Sequence, residues 1–81
     1  MYLVFGKKNC KFCKIAKELF QLYNLDFHYK GIDTKSGKIP KYLKELIPDS
    51  HNTVPIIFLK NKKKIKFIGG TSDLYFHLNK N

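Results

Sequence analysis

Residues 2–20, YLVFGKKNCKFCKIAKELF, change from a strand pattern to a helix pattern, and two cysteines lie at the change. Residues 2–5 form a short apolar run stopped by Gly6, which is typical of a strand buried on both faces of a sheet. Over residues 11–23 the apolar side chains recur at helical spacing and lysines fill the opposite face, which predicts an amphipathic helix. Cys10 is therefore expected at or next to the N-terminus of this helix.

The two cysteines are expected to differ in exposure and in chemistry. Free N–H groups and the helix dipole stabilise an anion at a helix N-terminus, and Lys8, Lys11 and Lys14 add positive potential there. Cys10 is therefore the predicted nucleophile. Cys13 shares a helix face with apolar residues that point into the core, so it is predicted to be the more buried sulfur and to resolve a mixed disulfide.

Two other interpretations of the pair stay open from the residues alone. Both cysteines could be small core residues, or C-x-x-C could be half of a zinc site. Zinc would need two more ligands, and the histidines at positions 28, 51 and 77 include no pair at the short spacing that usually completes such a site. Redox chemistry without a bound metal is therefore the favoured interpretation, with His28, His51 and His77 at surface or partly buried positions.

The next part of the chain predicts a strand and a second helix. Residues 26–30 alternate and carry aromatic side chains, as a strand does, and strand, helix and strand in so short a span indicate a parallel βαβ unit with a right-handed crossover. Residues 31–38 are rich in turn formers. Pro40 then lies where the first turn of a helix tolerates proline, and Pro48 ends the apolar stripe that follows.

The C-terminal part predicts a hairpin followed by a short helix. Residues 55–59 have the composition of a buried strand, and residues 64–67 alternate, so the two are expected to pair antiparallel across a tight turn. The glycines at 69–70 break the chain before a helix over residues 73–78. Its candidate N-caps are Thr71 and Ser72. The order is βαβαββα, an α/β fold with a mixed sheet.

Length and charge limit the possible functions. With 81 residues, 43% of them apolar, the chain is expected to form a single domain over residues 1–81. No apolar run is long enough to span a bilayer, and two cysteines three positions apart cannot staple a secreted scaffold, so a cytoplasmic location is expected. The net charge is +10 and every basic residue is lysine, which favours steering of acidic partners over specific reading of nucleic acid.

Three segments in this order resemble the glutaredoxin family. They are FGKKNCKFC at residues 5–13, TVPIIF at residues 53–58 and FIGGTSDL at residues 67–74, and the similarity spans nearly the whole chain. The resemblance implies a thioredoxin-like fold with a four-stranded mixed sheet and three flanking helices. It also implies a glutathione-dependent oxidoreductase that reduces protein disulfides and protein–glutathione mixed disulfides, with glutathione as the reducing cosubstrate and no metal.

The resemblance also implies a binding site for glutathione. Pro55 is expected to be a cis proline facing Cys10, and the backbone of Val54 is expected to pair with the cysteinyl part of glutathione as an added strand would. Thr53 would border the same groove. The γ-glutamyl end is expected at the N-terminus of the last helix, where N–H groups and a hydroxyl bind a carboxylate and an acidic side chain binds the ammonium. The residues at that position are Gly70, Thr71, Ser72 and Asp73.

Three residues around the cysteines complete the comparison with the family. Lys7 matches a basic residue that meets the glycine carboxylate of glutathione, and Phe12 matches the aromatic residue of the usual Cys-Pro-Tyr-Cys. Lys11 departs from the family, because it replaces the usual proline. This change is expected to alter the stability of the Cys10 thiolate and the reduction potential.

The remaining lysines are interpreted as solvated. Lys14 and Lys17 occupy the polar face of the first helix. The lysine-rich residues 60–66 are interpreted as a hairpin tip and an outward strand face that discourage edge pairing and keep the protein soluble. The alternative for this run is a docking surface for an acidic partner protein.

Several alternatives to a glutathione-dependent monomer stay open. A glutaredoxin-shaped protein could receive electrons from thioredoxin reductase, or two subunits could hold a [2Fe–2S] cluster through Cys10 and glutathione. A basic nucleic-acid-binding module is a third alternative. The expected partners are glutathione and disulfide-containing or glutathionylated proteins, with ribonucleotide reductase as the partner that glutaredoxins commonly serve.

Overall fold

A computed structural model describes residues 1–32 and 38–79, which form four strands and three helices. In chain order these are β1 (Tyr2–Gly6), α1 (Lys11–Leu22), β2 (Phe27–Gly31), α2 (Lys41–Lys44), β3 (Ile56–Lys60), β4 (Ile65–Gly69) and α3 (Thr71–Leu78). The predicted βαβαββα order is confirmed. Most of the turn-rich segment predicted over residues 31–38 lies outside the described residues. None of these helices has the length and apolar character that crossing a bilayer requires.

The four strands form one mixed sheet in the order β2-β1-β3-β4. β1 runs parallel to β2, with Gly6 opposite Gly31, and antiparallel to β3, with Phe5 opposite Ile56. β3 and β4 form the predicted antiparallel hairpin. The end of β1, the start of β3 and the end of β4 therefore meet at one end of the sheet, and the turn between β3 and β4 lies at the other.

Apolar side chains cover both faces of the sheet, because successive residues of a strand point to opposite sides. One cluster joins β1 and β3 to α1 and α3, and the other joins the opposite face of the same strands to α2. The first contains Tyr2, Val4, Ala16, Phe20, Ile57 and Leu74, and the second contains Phe5, Leu43, Ile56 and Phe58. The prediction that β1 is buried on both faces is confirmed, and this packing fixes α1 against the sheet.

Phe20 lies at the centre of the first cluster and is fully buried. Its ring centroid is 4.9 Å from those of both Tyr2 and Phe27, and it stacks nearly parallel on Phe27. The Tyr2 hydroxyl lies 3.1 Å from Nε2 of His77, a hydrogen-bond distance that links β1 to α3. Burial raises the pKa of the Tyr2 phenol, because desolvation disfavours its charged form.

The second helix is shorter than predicted. α2 has four residues, and beyond Lys44 the chain makes turns in which Leu46 N–H donates to the Leu43 carbonyl and Ile47 N–H to the Lys44 carbonyl. Bonds between residues three apart are those of a tightened helix end. Pro48 supplies the reason, since it has no N–H and disfavours the α conformation in the residue before it.

The last helix begins two residues earlier than predicted. Its N-cap is Gly70, so the prediction that Thr71 or Ser72 caps it was wrong. Gly70 has an extended backbone, and its N–H donates to Oδ2 of Asp73 at 3.0 Å. An acidic side chain at the third helical position reaches back to the N–H of the N-cap residue in this way in a capping box.

Candidate active site

The cysteine pair lies at the start of α1, just after the loop that connects β1 to this helix. Cys10 is the N-cap of α1, with an extended backbone, and its sulfur accepts a hydrogen bond from the Cys13 N–H at 3.2 Å. Cys10 is half-buried, whereas Cys13 is 2% exposed. The two sulfurs form a disulfide, with their Cα atoms 5.2 Å apart. The predicted difference between an accessible and a sheltered sulfur is therefore confirmed.

Asn9 and Gly6 each have a conformation or a close contact that suits their residue type. Asn9 has a φ of 56°, in the left-handed region that asparagine enters more readily than most residues. Gly6 ends β1 directly against the site. A Cβ built on Gly6 would lie 2.7 Å from the Cys13 sulfur and would also overlap the Tyr29 hydroxyl. Glycine at this position therefore allows Cys13 to pack beneath the strand.

We expect Gly6→Ala to destabilise the fold by about 1–3 kcal/mol, because the added methyl group overpacks the contact with Cys13 and Tyr29. Urea unfolding of the reduced protein measures this. Gly70→Ala is the comparison variant, since a Cβ there would meet its nearest neighbour, His51, at an ordinary 3.5 Å and only the weaker N-cap of alanine, about 0.5–1 kcal/mol, should be felt. Equal unfolding free energies for the two variants would contradict the close packing described for Gly6.

All the predicted glutathione-binding residues except Lys7 line a single cleft. This cleft, here called the cis-proline groove, has a volume of about 340 Å³. Its lining consists of Phe12, His51, Thr53, Val54, Pro55, Gly70, Thr71, Ser72 and Asp73. The Val54–Pro55 peptide bond is cis, as the family resemblance implied. Segments far apart in sequence thus meet at the end of the sheet where β3 starts and β4 ends.

Two hydrogen bonds shape the wall of the cis-proline groove. The Thr71 hydroxyl donates to the Phe12 carbonyl at 2.7 Å, which ties the start of α3 to the first turn of α1, between the cysteines. The Gly70 N–H donates to one oxygen of the Asp73 carboxylate. The resemblance assigned Thr71 to the ligand, whereas the structure uses its hydroxyl to hold Phe12. This role was not predicted from the sequence.

His51 is a groove residue that the sequence interpretation did not single out. Its Nε2 lies 3.4 Å from the Pro55 carbonyl oxygen, and its ring meets Phe67 edge-on with centroids 5.2 Å apart. The available sequence signal was its position two residues before Thr53. It is half-buried, in line with the interpretation of a partly buried loop residue, but it faces the groove.

Lys7 lies apart from the other predicted ligand residues. It lines a second cleft, here called the basic groove, which has a volume of about 800 Å³. The lining is Lys7, Lys8, Asn9, Cys10, Lys11, Cys13, Lys14, Lys17, Tyr29 and Gly31. The Lys7 carbonyl lies 3.4 Å from the Tyr29 hydroxyl, and its side chain is exposed. Both cysteines line this second cleft, while Phe12 between them lines the first.

Across residues 1–32 and 38–79, no three or more His, Cys, Asp or Glu side chains group closely enough to hold a metal ion.

The fold and the cysteine site together define a class of protein. A mixed four-stranded sheet carries apolar clusters on both faces, a C-x-x-C disulfide begins the first helix, and a cis proline precedes β3. These are the features of a thioredoxin-like thiol–disulfide oxidoreductase.

Comparison with known proteins narrows this class to one family. A family model described as Glutaredoxin matches residues 3–64. Glutaredoxin-1 of Rhizophagus irregularis is 36% identical over 77 residues, covering 89% of this chain and 67% of that protein. The reduced glutaredoxin of Escherichia coli superposes with a TM-score of 0.74 at 25% identity, covering 99% of this chain and 94% of that one. A buckwheat glutaredoxin–glutathione complex superposes with a TM-score of 0.72 at 25% identity, covering 98% of this chain and 69% of that one. The chain belongs to the glutaredoxin family.

Proposed function

We propose that the protein uses glutathione to reduce protein disulfides and protein–glutathione mixed disulfides, with Cys10 as nucleophile and Cys13 as resolving thiol. One observation carries the proposal. The Cys10–Cys13 disulfide adjoins the cis-proline groove through Phe12, which lies between the cysteines in sequence and lines the groove formed by the other two family segments. A reactive sulfur and a cleft of tripeptide scale are therefore neighbours.

With a glutathionylated protein, one cysteine suffices. The Cys10 thiolate attacks the glutathione sulfur, the Cys10–glutathione bond forms, and the bond to the substrate breaks. The substrate leaves as a thiolate and takes a proton from solvent. A second glutathione thiolate then attacks the sulfur of the bound glutathione. This releases oxidised glutathione and restores the Cys10 thiolate.

With a protein disulfide, both cysteines take part. Cys10 attacks one substrate sulfur and displaces the other as a thiolate. The Cys13 thiolate then attacks the Cys10 sulfur, which frees the reduced substrate and leaves the Cys10–Cys13 disulfide. Two glutathione molecules reduce this disulfide and leave as oxidised glutathione. The hydrogen bond from the Cys13 N–H to the Cys10 sulfur suits this cycle, because it stabilises a thiolate at that atom.

We assign the cis-proline groove to glutathione. The buckwheat relative is described as a complex with glutathione, and all the residues of this groove except His51 are ones that the family resemblance marked. Val54 offers its backbone to the cysteinyl part, with Thr53 and Pro55 at the border. The start of α3 takes the γ-glutamyl end through its N–H groups, and Asp73 takes the ammonium. Lys7, next to Cys10 in the basic groove, is assigned to the glycine carboxylate.

The location and partners follow from the proposed chemistry. Turnover needs a pool of reduced glutathione, which the cytoplasm maintains, so we place the activity there. The proposed substrates are disulfide-containing or glutathionylated proteins, and the enzyme is proposed to act as a monomer.

A comparison of electron sources tests the proposal. NADPH consumption is followed with a glutathionylated peptide as substrate, in one arm with glutathione and glutathione reductase and in the other with thioredoxin reductase alone. We expect turnover in the glutathione arm to be at least about tenfold faster, because the groove binds glutathione. Each arm without the protein gives the background rate. Faster turnover with thioredoxin reductase would contradict glutathione dependence and favour the alternative electron source.

A further inference from the structure

The basic groove concentrates positive charge around the cysteine pair. Among the described residues that line it, five are lysines and none is acidic. The lining lysines are Lys7, Lys8, Lys11, Lys14 and Lys17. Three of them follow one face of α1 at intervals of three residues, and the other two come from the loop after β1. The lysine at position 11, where the family usually has proline, is part of this wall.

Lys17 shows how the far end of the groove is built. Its ammonium lies 3.7 Å from the centroid of the Tyr29 ring, so a cation–π contact holds the charge over the β2 wall of the groove. Lys14, one helical turn closer to the cysteines, is exposed. The lysine side chains of α1 therefore form a row of positive charge that extends from Cys10 to Tyr29.

The two clefts at the cysteine pair differ in charge. The cis-proline groove is lined by Asp73 and by no lysine among the described residues, whereas the basic groove is lined by five lysines. During attack on a mixed disulfide, the glutathione part lies in the cis-proline groove. The substrate cysteine that leaves must then lie on the other side of Cys10. The basic groove is the larger cleft and contains both cysteines. The polypeptide around the target cysteine therefore lies over positive charge.

On this basis we propose that the basic groove binds acidic residues flanking the target cysteine of a protein substrate. The inference rests on the function proposed above and names the substrates that it favours. Lys17 is seven residues beyond Cys10, which is about 10 Å along a helix axis and is spanned by about three residues of extended chain. Carboxylates within about four positions of the target cysteine would reach Lys14 and Lys17. Exposed charges at this range attract without being fully screened at physiological salt.

The hairpin lysines are excluded from this contact by their position. Lys62 and Lys63 follow β3, which ends beside the start of β1, since the Lys60 N–H donates to the Met1 carbonyl. Cys10 follows the opposite end of β1. The contact proposed here is therefore separate from the docking surface for an acidic partner protein that the sequence offered as an alternative for residues 60–66.

Glutathionylated peptides that differ only in their flanking residues test the proposal. One peptide carries Glu on both sides of its cysteine and the other carries Gln, and kcat/KM is measured in the glutathione-coupled assay at low and high salt. We expect the protein to prefer the acidic peptide by about tenfold at low salt, mainly through KM, and the preference to shrink with added salt. For each variant the two kcat/KM values are expressed as a ratio, acidic peptide over Gln peptide, so that any change in cysteine reactivity cancels.

Paired variants separate local docking from net charge. Lys14→Gln combined with Lys17→Gln should reduce the preference to within about twofold, whereas Lys62→Gln combined with Lys63→Gln removes the same charge and should retain it. Lys14→Arg combined with Lys17→Arg should also retain it, which guards against a folding effect. Equal preferences for both peptides, or equal losses in the two Gln pairs, would overturn the docking proposal alone. Absence of turnover with either peptide would overturn the proposed function and this inference together.

Discussion

Cys10→Ser is expected to lower glutathione-coupled disulfide turnover by at least about a thousandfold, to the level of the assay background. A serine hydroxyl does not ionise at neutral pH and cannot form a mixed disulfide, so both proposed cycles lose their first step. The Cys10 backbone caps α1 in either protein, and serine is a good N-cap, so the fold should persist. Circular dichroism of the variant checks this. A Cys10→Ser protein with near-normal turnover would contradict the assignment of the nucleophile.

Cys13→Ser is the matched control on the same helix. It should keep reduction of a glutathionylated peptide within about tenfold of the parent, because that cycle needs only Cys10 and glutathione. Reduction of a protein disulfide should fall to background, since the resolving thiol is absent. The two substrates assayed side by side measure the split. Loss of both activities would show that Cys13 does more than resolve.

Phe20→Ala is expected to produce the largest loss of stability of the changes considered. The side chain is fully buried and packs between Tyr2 and Phe27, so its removal should cost about 3–5 kcal/mol. The free energy of unfolding of a native protein is about 5–15 kcal/mol in total, so this change would remove much of the stability. In a protein of this size the melting temperature should fall by about 15 °C or more.

Leu22→Ala provides the comparison for Phe20→Ala, because Leu22 lies on the same helix but is 78% exposed. Its unfolding free energy should stay within about 1 kcal/mol of the parent. Thermal unfolding of both variants, with the cysteines reduced, measures the difference. Similar melting temperatures for the two variants would contradict the placement of Phe20 in the core.

The features that follow from local periodicity were predictable from the sequence. Short apolar runs identified β1 and β3, and alternation identified β4. The helix face that Cys13 shares with apolar residues predicted which sulfur would be sheltered. Helix ends were less predictable. The N-cap of α3 is Gly70, whose N–H bonds the Asp73 carboxylate, and not the hydroxyl residue expected at position 71 or 72.

Features that depend on packing between distant segments were not predictable. The Thr71 hydroxyl bonds to Phe12 only because α3 packs next to α1, and His51 faces the cis-proline groove only because Phe67 of β4 supports its ring. Lys14 and Lys17 have the spacing of a solvated helix face. That spacing does not reveal that Tyr29 of β2 forms the opposite wall and makes the face into a groove.

The two clefts give the cysteine pair different surroundings on its two sides. One is lined by backbone and polar groups at the start of α3, which suits a small zwitterion such as glutathione. The other is lined by lysines, which suits an acidic polypeptide. Cys13 is the buried member of the pair and packs against Gly6. This division places the cysteinyl and γ-glutamyl parts of glutathione on one side of Cys10 and the substrate polypeptide on the other, with Lys7 beside Cys10 at the glycine end of glutathione.

Mass spectrometry of the Cys13→Ser protein tests the central claim most directly. Cys10 is then the only cysteine in the chain. After brief reaction with a glutathionylated peptide, the protein should gain one glutathione on Cys10 and the peptide should appear as a free thiol. Reduced glutathione should then return the unmodified protein. A protein that gains the peptide instead of glutathione, or that gains neither while Cys10 stays a free thiol, would contradict glutathione-specific attack by Cys10.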